Sequence, residues 1–194
     1  GVYFANLYDM KNMSKFNMQA LAYHEGIPGH HMQISIAQEL ENIPKFRLYG
    51  GFTVFNEGWA LYSEAIPKEL GFYTDPFSDF GRLAGELYRA CRLVVDTGIH
   101  AKKWSRERAI EYMNNNVPHS KNYNVRQIER YIVMPSQATA YKIGMIKIQE
   151  LRELAESSLG DRFDIRGFHD VVLKNGSVTM PILESNVKKW IKNQ

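Results

Sequence analysis

The sequence predicts a mostly α-helical protein that folds as one domain over residues 1–194. Apolar residues recur at steps of three and four along most of the chain, and capping residues, Pro and Gly separate these runs. Only residues 51–55 have the composition of a strand, and they could equally lead straight into a helix. With 194 residues, 44% of them hydrophobic, the chain can bury a core of ordinary size.

The longest predicted helix follows Asp75, a suitable N-cap, with Pro76 at its first helical position. It ends near Thr97 and Gly98 or a few residues later. One apolar face of this helix contains Phe77, Phe80, Leu83, Ala84, Leu87, Cys91, Val94 and Val95. The only cysteine, Cys91, lies on this face, so it is predicted to be a core residue rather than a nucleophile.

Further helices are predicted around Pro135. Asn124 and Gln127 match a capping box that opens a short helix before Pro135. After Pro135 an apolar stripe predicts a helix that closes near Gly160; its members are Tyr141, Met145, Ile148, Leu151 and Ala155. Shorter helices are predicted at residues 105–115, 165–173 and 181–192.

Composition and charge exclude several classes of protein. The 24 basic and 21 acidic residues give a net charge of +3, and basic residues form no block longer than a pair, so nucleic acid is not an expected partner. No run approaches the roughly 18 apolar residues of a membrane-spanning helix. A single cysteine excludes an intrachain disulfide. The sequence also has no serine-hydrolase elbow and no nucleotide-binding loop.

The segment from His24 to His31, with the sequence HEGIPGHH, indicates a metal site. In the H-E-x-x-H motif of zinc proteases, two histidines on one helix face bind the ion, and the Glu beside the first is the general base for the metal-activated water. Here the second histidine comes six or seven residues later. A break at Pro28-Gly29 can act as a two-residue insertion, so that His30 takes the place of the second ligand.

Helical spacing distinguishes the two candidates for the second ligand. Downstream of the break, His30 shares a face with Ile34 and Ala37, whereas His31 shares the polar face with Ser35. His30 is therefore predicted to face inward and His31 outward. The alternative is that both are ordinary helix-cap or core residues that bind no metal.

An acidic pair at residues 54–64 favours the metal interpretation. As a helix this segment is apolar almost all round and hence buried, yet Glu57 and Glu64 lie on one stripe with Leu61. A buried carboxylate is unstable unless a cation or hydrogen bonds compensate its charge. Zinc would compensate Glu57, and the free ring N–H of a ligand histidine would suit Glu64 as an outer partner. Salt bridges to arginines are the alternative for both glutamates.

Four motifs together resemble a known family. They are HEGIPGHH at 24–31, EGWALYSE at 57–64, RLVVDTGIH at 92–100 and QATAYKIG at 137–144. They resemble the bacterial "domain of unknown function 885" family over nearly all of the chain, up to about Val187. That family is similar to the gluzincin zinc peptidases, in which two histidines from a helix and a glutamate from a later helix hold the metal.

The resemblance implies a multi-helix, zincin-like catalytic domain in which Zn²⁺ is held by His24, His30 and Glu57. It implies Glu25 as the general base and a peptide as the substrate. Members of the family are typically much longer, and many carry lipoprotein or secretory signals. The chain is therefore expected to be the C-terminal part of a longer bacterial protein that is periplasmic or anchored as a lipoprotein.

Supporting roles are predicted for several further residues. Arg92, Asp96 and His100 recur every fourth residue along one edge of the longest helix. His100 and Tyr141 are candidate catalytic donors to an oxyanion, and Asp96 is a candidate outer partner of the metal site. Arg92 and Arg130 could hold a substrate carboxylate by bidentate contact. The alternatives are an ordinary Arg92–Asp96 ion pair and a purely structural Tyr141.

Two other functions compete with a zinc peptidase. The first is a non-catalytic helical module with a structural or vestigial metal site. The second is a chain that keeps the metal ligands but lacks the other wall of the substrate cleft, which an N-terminal region of the same protein would supply.

Overall fold

The structure, a computed structural model, describes Val2, Phe4, Met10 and residues 13–41 and 43–194. Every regular element in these residues is helical, which confirms the prediction of a mostly α-helical protein. The elements in this part of the chain are α1 Met18–Glu25, α2 His30–Glu39, α3 Lys45–Tyr49, α4 Thr53–Ser63, α5 Ile66–Glu69, α6 Pro76–Lys102, α7 Arg106–Asn116, α8 Lys121–Val133, α9 Gln137–Leu159, α10 Ile165–Leu173, α11 Met180–Lys192, and 3₁₀ helices at Lys15–Asn17 and Gly160–Arg162.

Local sequence signals account for several helix ends, those of α6 among them. The side chain of Asp75 accepts hydrogen bonds from the backbone N–H groups of Phe77 and Ser78, as expected for the N-cap of α6. The helix runs on to Lys102, and Lys103 ends it in a left-handed conformation. The predicted ends of α7, α10 and α11 and the predicted C-terminus of α9 are confirmed to within one residue.

The structure decides two predictions about where helices start. The capping box at Asn124 is wrong, because Ser120 caps α8 by accepting a hydrogen bond from the backbone N–H of Tyr123. Asn124 is buried inside α8, and its amide donates to the side chain of Asn114 on α7. Residues 51–55 lead directly into α4, which was the second of the two possibilities for that segment.

The apolar face predicted for α6 is only partly buried. Ala84, Cys91 and Val95 lie in the core, whereas the other members are exposed: Phe77, Phe80, Leu83, Leu87 and Val94. We call these five exposed residues the α6 stripe. The buried side of α6 includes the polar residues Arg92 and Asp96 instead, because that edge faces α8 and α9.

The described helices enclose two clusters of buried residues, and α9 contributes to both. The larger cluster lies between α4, α9, α10 and α11 and contains Trp59 and Phe168. The smaller one lies between α6, α7 and α8 and contains Met113 and Ile128. Since α9 packs against both α4 and α6, it joins the two halves of the protein and brings the faces of these helices together.

Two glycines allow α4 and α9 to pack with their backbones in contact. A Cβ atom built on Gly144 would lie 2.1 Å from the backbone oxygen of Val54 and 2.6 Å from Cα of Gly58. Real side chains do not tolerate such distances from backbone atoms. Both positions therefore require glycine, and their contact sets the distance of α4, which carries Glu57, from α9.

We predict that Gly144→Ala lowers the free energy of unfolding by about 3 kcal/mol, because the added methyl group forces α4 and α9 apart. Urea denaturation measures this change. Gly167→Ala is the matched control, since its methyl group would meet only the ring of Trp190, at 3.2 Å. The control is expected to change stability by less than about 1 kcal/mol, partly because alanine favours helix. Equal effects of the two substitutions would contradict the close backbone contact of α4 and α9 at Gly144.

Candidate metal centre

Two imidazoles and one carboxylate converge where α1, α2 and α4 meet. One potential ligand atom from each of His24, His30 and Glu57 lies within 4.8 Å of the other two. The Oε2 atom of Glu57 is 3.3 Å from Nε2 of His30 and 3.8 Å from Nε2 of His24. Ligand atoms around a tetrahedral zinc ion, with bonds of about 2.0–2.1 Å, lie about 3.4 Å apart. The spacing and the N, N, O donor set therefore fit a divalent metal ion such as zinc.

A break between two helices allows both histidines of the HEGIPGHH segment to face the same site. Helix α1 ends at Glu25, and α2 begins at His30. The loop between them is tied down by the indole N–H of Trp59, which donates to the backbone oxygen of Pro28. A Cβ atom on Gly29 would lie 1.9 Å from the backbone oxygen of His24, so no other residue fits there. This close approach turns the ring of His30 toward His24, with the ring centroids 4.9 Å apart.

The burial pattern agrees with the predicted directions of the two histidines. The side chain of His30 is 19% exposed and faces the cluster, whereas His31 is exposed. Ala37 is buried as predicted, but Ile34 is 47% exposed and lines a cavity beside the cluster. The inward face of α2 is therefore narrower than the helical spacing indicates.

A second carboxylate, that of Glu64, orients the ring of His24 through Nδ1, the nitrogen that does not face Glu57. Nδ1 of His24 lies 2.8 Å from Oε1 of Glu64, and both side chains are almost completely buried. A proton on Nδ1 shared with Glu64 leaves Nε2 with a free lone pair toward Glu57. Glu64 also lies 3.5 Å from Arg89, so it combines the outer role predicted for it with the arginine contact that was the alternative.

The charges in the cluster shift the pKa values of its members in opposite directions. Burial alone lowers the pKa of His24, but the carboxylates of Glu57 and Glu64 outweigh it, so that its pKa is raised above the usual 6.5. Burial raises the pKa of Glu57, but the imidazoles of His24 and His30 and the hydroxyl of Tyr141 outweigh this effect and hold it well below its usual range. Glu57 is therefore ionised at neutral pH, as a metal ligand must be.

Residues from α6 and α9 complete the surroundings of Glu57. The amide of Gln137 donates to Oε1 of Glu57 at 3.3 Å and to the hydroxyl of Tyr141 at 3.1 Å. Arg92 donates to Gln137 at 3.1 Å, and its guanidinium lies 4.1 Å from the centroid of the Tyr141 ring. The ring of Tyr141 is nearly parallel to that of His24. Tyr141 thus belongs to the cluster and is not merely a core residue.

The structure does not bring Asp96 and His100 to the cluster. Both carboxylate oxygens of Asp96 accept the backbone N–H of Ser136 at 3.1 Å, at the left-handed residue just before α9. The ring of His100 bonds to the backbone oxygen of Tyr131. Both side chains are thus engaged by backbone groups, and neither belongs to the ligand cluster or lines a cavity beside Glu25, so their supporting roles stay predictions. The alternative Arg92–Asp96 ion pair is also not among the ion pairs of the described residues.

Two cavities flank Glu25, which is exposed at the end of α1. The smaller has a volume of about 270 Å³, and His24, Arg92, Arg130 and Tyr141 contribute to its wall. The larger, of about 760 Å³, is lined by His30 and mostly apolar side chains. Leu21 and Glu25 line both cavities. Of the candidate ligands, His24 thus lines the small polar cavity and His30 the larger, mostly apolar one, whereas Glu57 lines neither.

Sequence reasoning missed several residues of the smaller cavity, among them an arginine, a tyrosine and a histidine. Arg89 lies one helical turn from Gly85 and faces the cavity, as do Tyr123 and the half-buried His119. The ring of His119 packs edge-on against Tyr88, with centroids 4.8 Å apart, although its sequence position beside a proline predicts a surface loop. Arg89 is three residues before Arg92 on the same helix edge, but sequence spacing does not show that this edge borders the cavity.

The chain belongs to the family described as "Bacterial protein of unknown function (DUF885)", whose pattern matches residues 1–187. Among solved structures it is similar to "the putative lipoprotein from Colwellia psychrerythraea", with 50% identity and a TM-score of 0.95 over 97% of this chain and 32% of that one. It is also similar to "a putative lipoprotein of unknown function from Shewanella oneidensis", with 26% identity and a TM-score of 0.82 over 89% of this chain and 31% of that one.

The chain therefore spans about a third of the length of these two relatives. The comparison with curated proteins finds no match. Among the described residues, no helix combines the length and the apolar character needed to cross a membrane.

We predict that His30→Ala lowers zinc affinity by more than roughly a hundredfold, beyond the loss typical for an outer contact, because it removes a direct ligand. A competition titration with a chromophoric chelator measures the affinity. His31→Ala, one residue away and exposed, is the matched control and should bind zinc like the unmodified protein. Equal losses in both variants, or none in either, would show that the cluster is not the metal site.

The raised pKa of His24 predicts a pH dependence of zinc binding. The metal needs the neutral imidazole, so affinity should fall as the pH is lowered through the raised pKa of His24, at a pH above the one expected for an ordinary histidine. Glu64→Gln removes one of the interactions that raise this pKa, so the fall should shift to lower pH in that variant. The midpoint of the pH curve is the readout, measured by the same titration. An identical midpoint with and without Glu64 would contradict the assignment.

Proposed function

We propose that the protein is a zinc-dependent peptidase of the gluzincin type, with His24, His30 and Glu57 as the metal ligands. The observation that carries this proposal is the convergence of their ligand atoms within 4.8 Å. When bound there, zinc supplies Lewis-acid activation of water and polarises the scissile carbonyl group. His24, His30 and Glu57 would supply three protein ligands, the number typical of catalytic zinc sites, whereas structural zinc sites have four.

Glu25 is the general base of the proposed reaction. It follows His24 directly, is exposed, and lines both cavities, so its carboxylate can reach a substrate that spans them. The carboxylate accepts the proton of the attacking water and then delivers it to the leaving amine. This role is separate from metal binding, because Glu25 is not a member of the ligand cluster.

Tyr141 is the proposed donor to the developing oxyanion. Its hydroxyl lies beside Glu57 and Gln137, and its ring lines the smaller cavity between His24 and Arg92. His100, the other candidate donor, is left out of the proposal because its ring is engaged with a backbone oxygen and lines neither cavity. Arg92 and Arg130 line the smaller cavity and are proposed to face the substrate there.

The competing function is a non-catalytic module with a structural metal site. Structural zinc sites are closed by four protein ligands, whereas the cluster found among the described residues contains three. Cavities on both sides of Glu25 also favour access by a substrate. These two features support the catalytic proposal over the structural one.

We further propose that the protein acts outside the cytoplasm of a bacterium, in the periplasm or on a lipoprotein anchor. Both similar solved structures are described as a "putative lipoprotein", which supports this placement. An N-terminal region of the same protein is the proposed second wall of the substrate cleft. The size of the relatives and the solvent-exposed α6 stripe support such a partner.

We predict that Glu25→Gln lowers kcat on a peptide substrate by about 10²- to 10⁴-fold, because the amide cannot accept the proton of the attacking water. Zinc content should stay unchanged, which metal analysis of the same sample tests. Glu39→Gln, an exposed change on α2, is the matched control and should keep full activity. A Glu25→Gln variant that retains turnover, or a metal-free protein with undiminished activity, would refute the scheme.

A further inference from the structure

The smaller cavity beside the metal centre is a cationic pocket with three guanidinium groups in its wall. They come from Arg89 and Arg92 on α6 and from Arg130 on α8, and we call the cavity the arginine pocket. Two carboxylates, Glu25 and Glu64, face the same space. Three positive and two negative groups leave a net charge of +1 before any metal is bound, so the pocket favours an anion.

Two of these arginines have donors with no partner among the described residues. Arg92 is only 5% exposed and Arg89 has a 15% exposed side chain, yet their Nε atoms are buried and make no hydrogen bond. A buried donor without a partner costs free energy, and charged donors cost the most. These two guanidinium charges are therefore incompletely compensated, and an anion in the pocket would compensate them even though their Nε atoms are covered.

Existing contacts hold the arginine side chains in place without using up these donors. The guanidinium of Arg92 is stacked on the ring of Tyr141 and donates to Gln137. That of Arg89 lies 3.5 Å from Glu64 and donates to the backbone oxygen of Gly85. Because both guanidinium groups are already oriented, less side-chain entropy is lost when an anion binds.

The size of the pocket limits what it can hold. At about 270 Å³ it is smaller than the roughly 300–1,000 Å³ typical of pockets for drug-sized ligands, so it has room for about one amino-acid residue. The larger cavity, of about 760 Å³, lies on the other side of Glu25 and is mostly apolar. A peptide bond placed at Glu25 would have one residue on the pocket side and a longer stretch of chain on the other.

We propose that the arginine pocket binds the C-terminal carboxylate of the substrate, so that the enzyme is a carboxypeptidase that releases one residue at a time. This inference rests on the proposed peptidase function. The residue in the pocket carries the free carboxylate and becomes the leaving amine, while the rest of the peptide follows the larger cavity. Bidentate contact with guanidinium groups is the preferred mode of carboxylate binding in proteins. The carboxylate of an acidic side chain near the scissile bond could bind the same arginines. The experiment below distinguishes it from a C-terminal carboxylate.

The first experiment compares three N-acetylated peptides with the zinc-loaded full-length protein. One ends in a free carboxylate, the second is its C-terminal amide, and the third is amidated and has Glu in place of the last residue. We expect the last residue to be released fastest from the first peptide, with kcat/KM about ten- to a hundredfold lower for its amide, as for the loss of a charge-assisted hydrogen bond. Equal cleavage of the first two peptides would overturn the proposal. Preferential cleavage of the third would overturn it in favour of an acidic side chain.

Variants connect this preference with the pocket. Arg130 is exposed, so Arg130→Gln should fold normally and should remove most of the preference for the free carboxylate. Arg126→Gln, exposed on the same helix but outside the pocket, is the matched control and should keep the preference. A preference that survives Arg130→Gln unchanged would count against the pocket.

A binding measurement separates this inference from the peptidase proposal. N-acetylphenylalanine and its amide are titrated into the metal-free protein and followed by NMR. We expect the acid to bind about ten- to a hundredfold more tightly than the amide, and Arg130→Gln to abolish this difference. If this holds but no peptide is cleaved, the carboxylate site stands and the peptidase proposal fails. If peptides are cleaved without any carboxylate preference, the peptidase proposal stands and this inference fails.

Discussion

The imidazole of His24 lies between the carboxylates of Glu57 and Glu64, and this buried charge network determines how α1, α2 and α4 meet. Glu57 projects from α4, which is otherwise almost entirely apolar and buried, and Glu64 follows directly at its C-terminal end. A buried carboxylate at either position needs partners that compensate its charge, because removing a charge from water is costly. The two histidines and Arg89 supply those partners. The loop at Gly29 then brings the second imidazole to the same place.

The groups next to this network carry the opposite charge. Arginines of α6 lie on the outer side of the carboxylates of Glu57 and Glu64, which explains why the polar edge of α6 faces inward. The stacking of Arg92 on Tyr141 allows a guanidinium to be buried next to aromatic rings at little cost. The inward turn of this edge leaves the α6 stripe in solvent. One arrangement of charges thus accounts for both the arginine pocket and the exposed apolar surface.

The fold could be predicted well wherever local signals act alone. The cap at Asp75, the stripe that ends at Gly160 and the helix over 165–173 depend on neighbouring residues, and the structure agrees with them. The failures concern choices between similar local signals. Asn124 could cap a helix, but Ser120 offers the same chemistry one turn earlier, and only the packing of α8 against α7 makes Asn124 an interior residue. Likewise, periodicity shows which residues of α6 share a face but not which face meets a neighbour.

By itself the sequence determined the helical class, the candidate ligands His24, His30 and Glu57, and the need for a break before His30. Each of these follows from spacing along the chain or from a charged residue in an apolar helix. Tertiary structure alone decided that Arg89 borders the site and that His100 lies outside it. The reason is geometric: both residues sit on one long helix, and the place where that helix passes the cluster is set by its contacts with α1, α8 and α9, which are far apart in sequence.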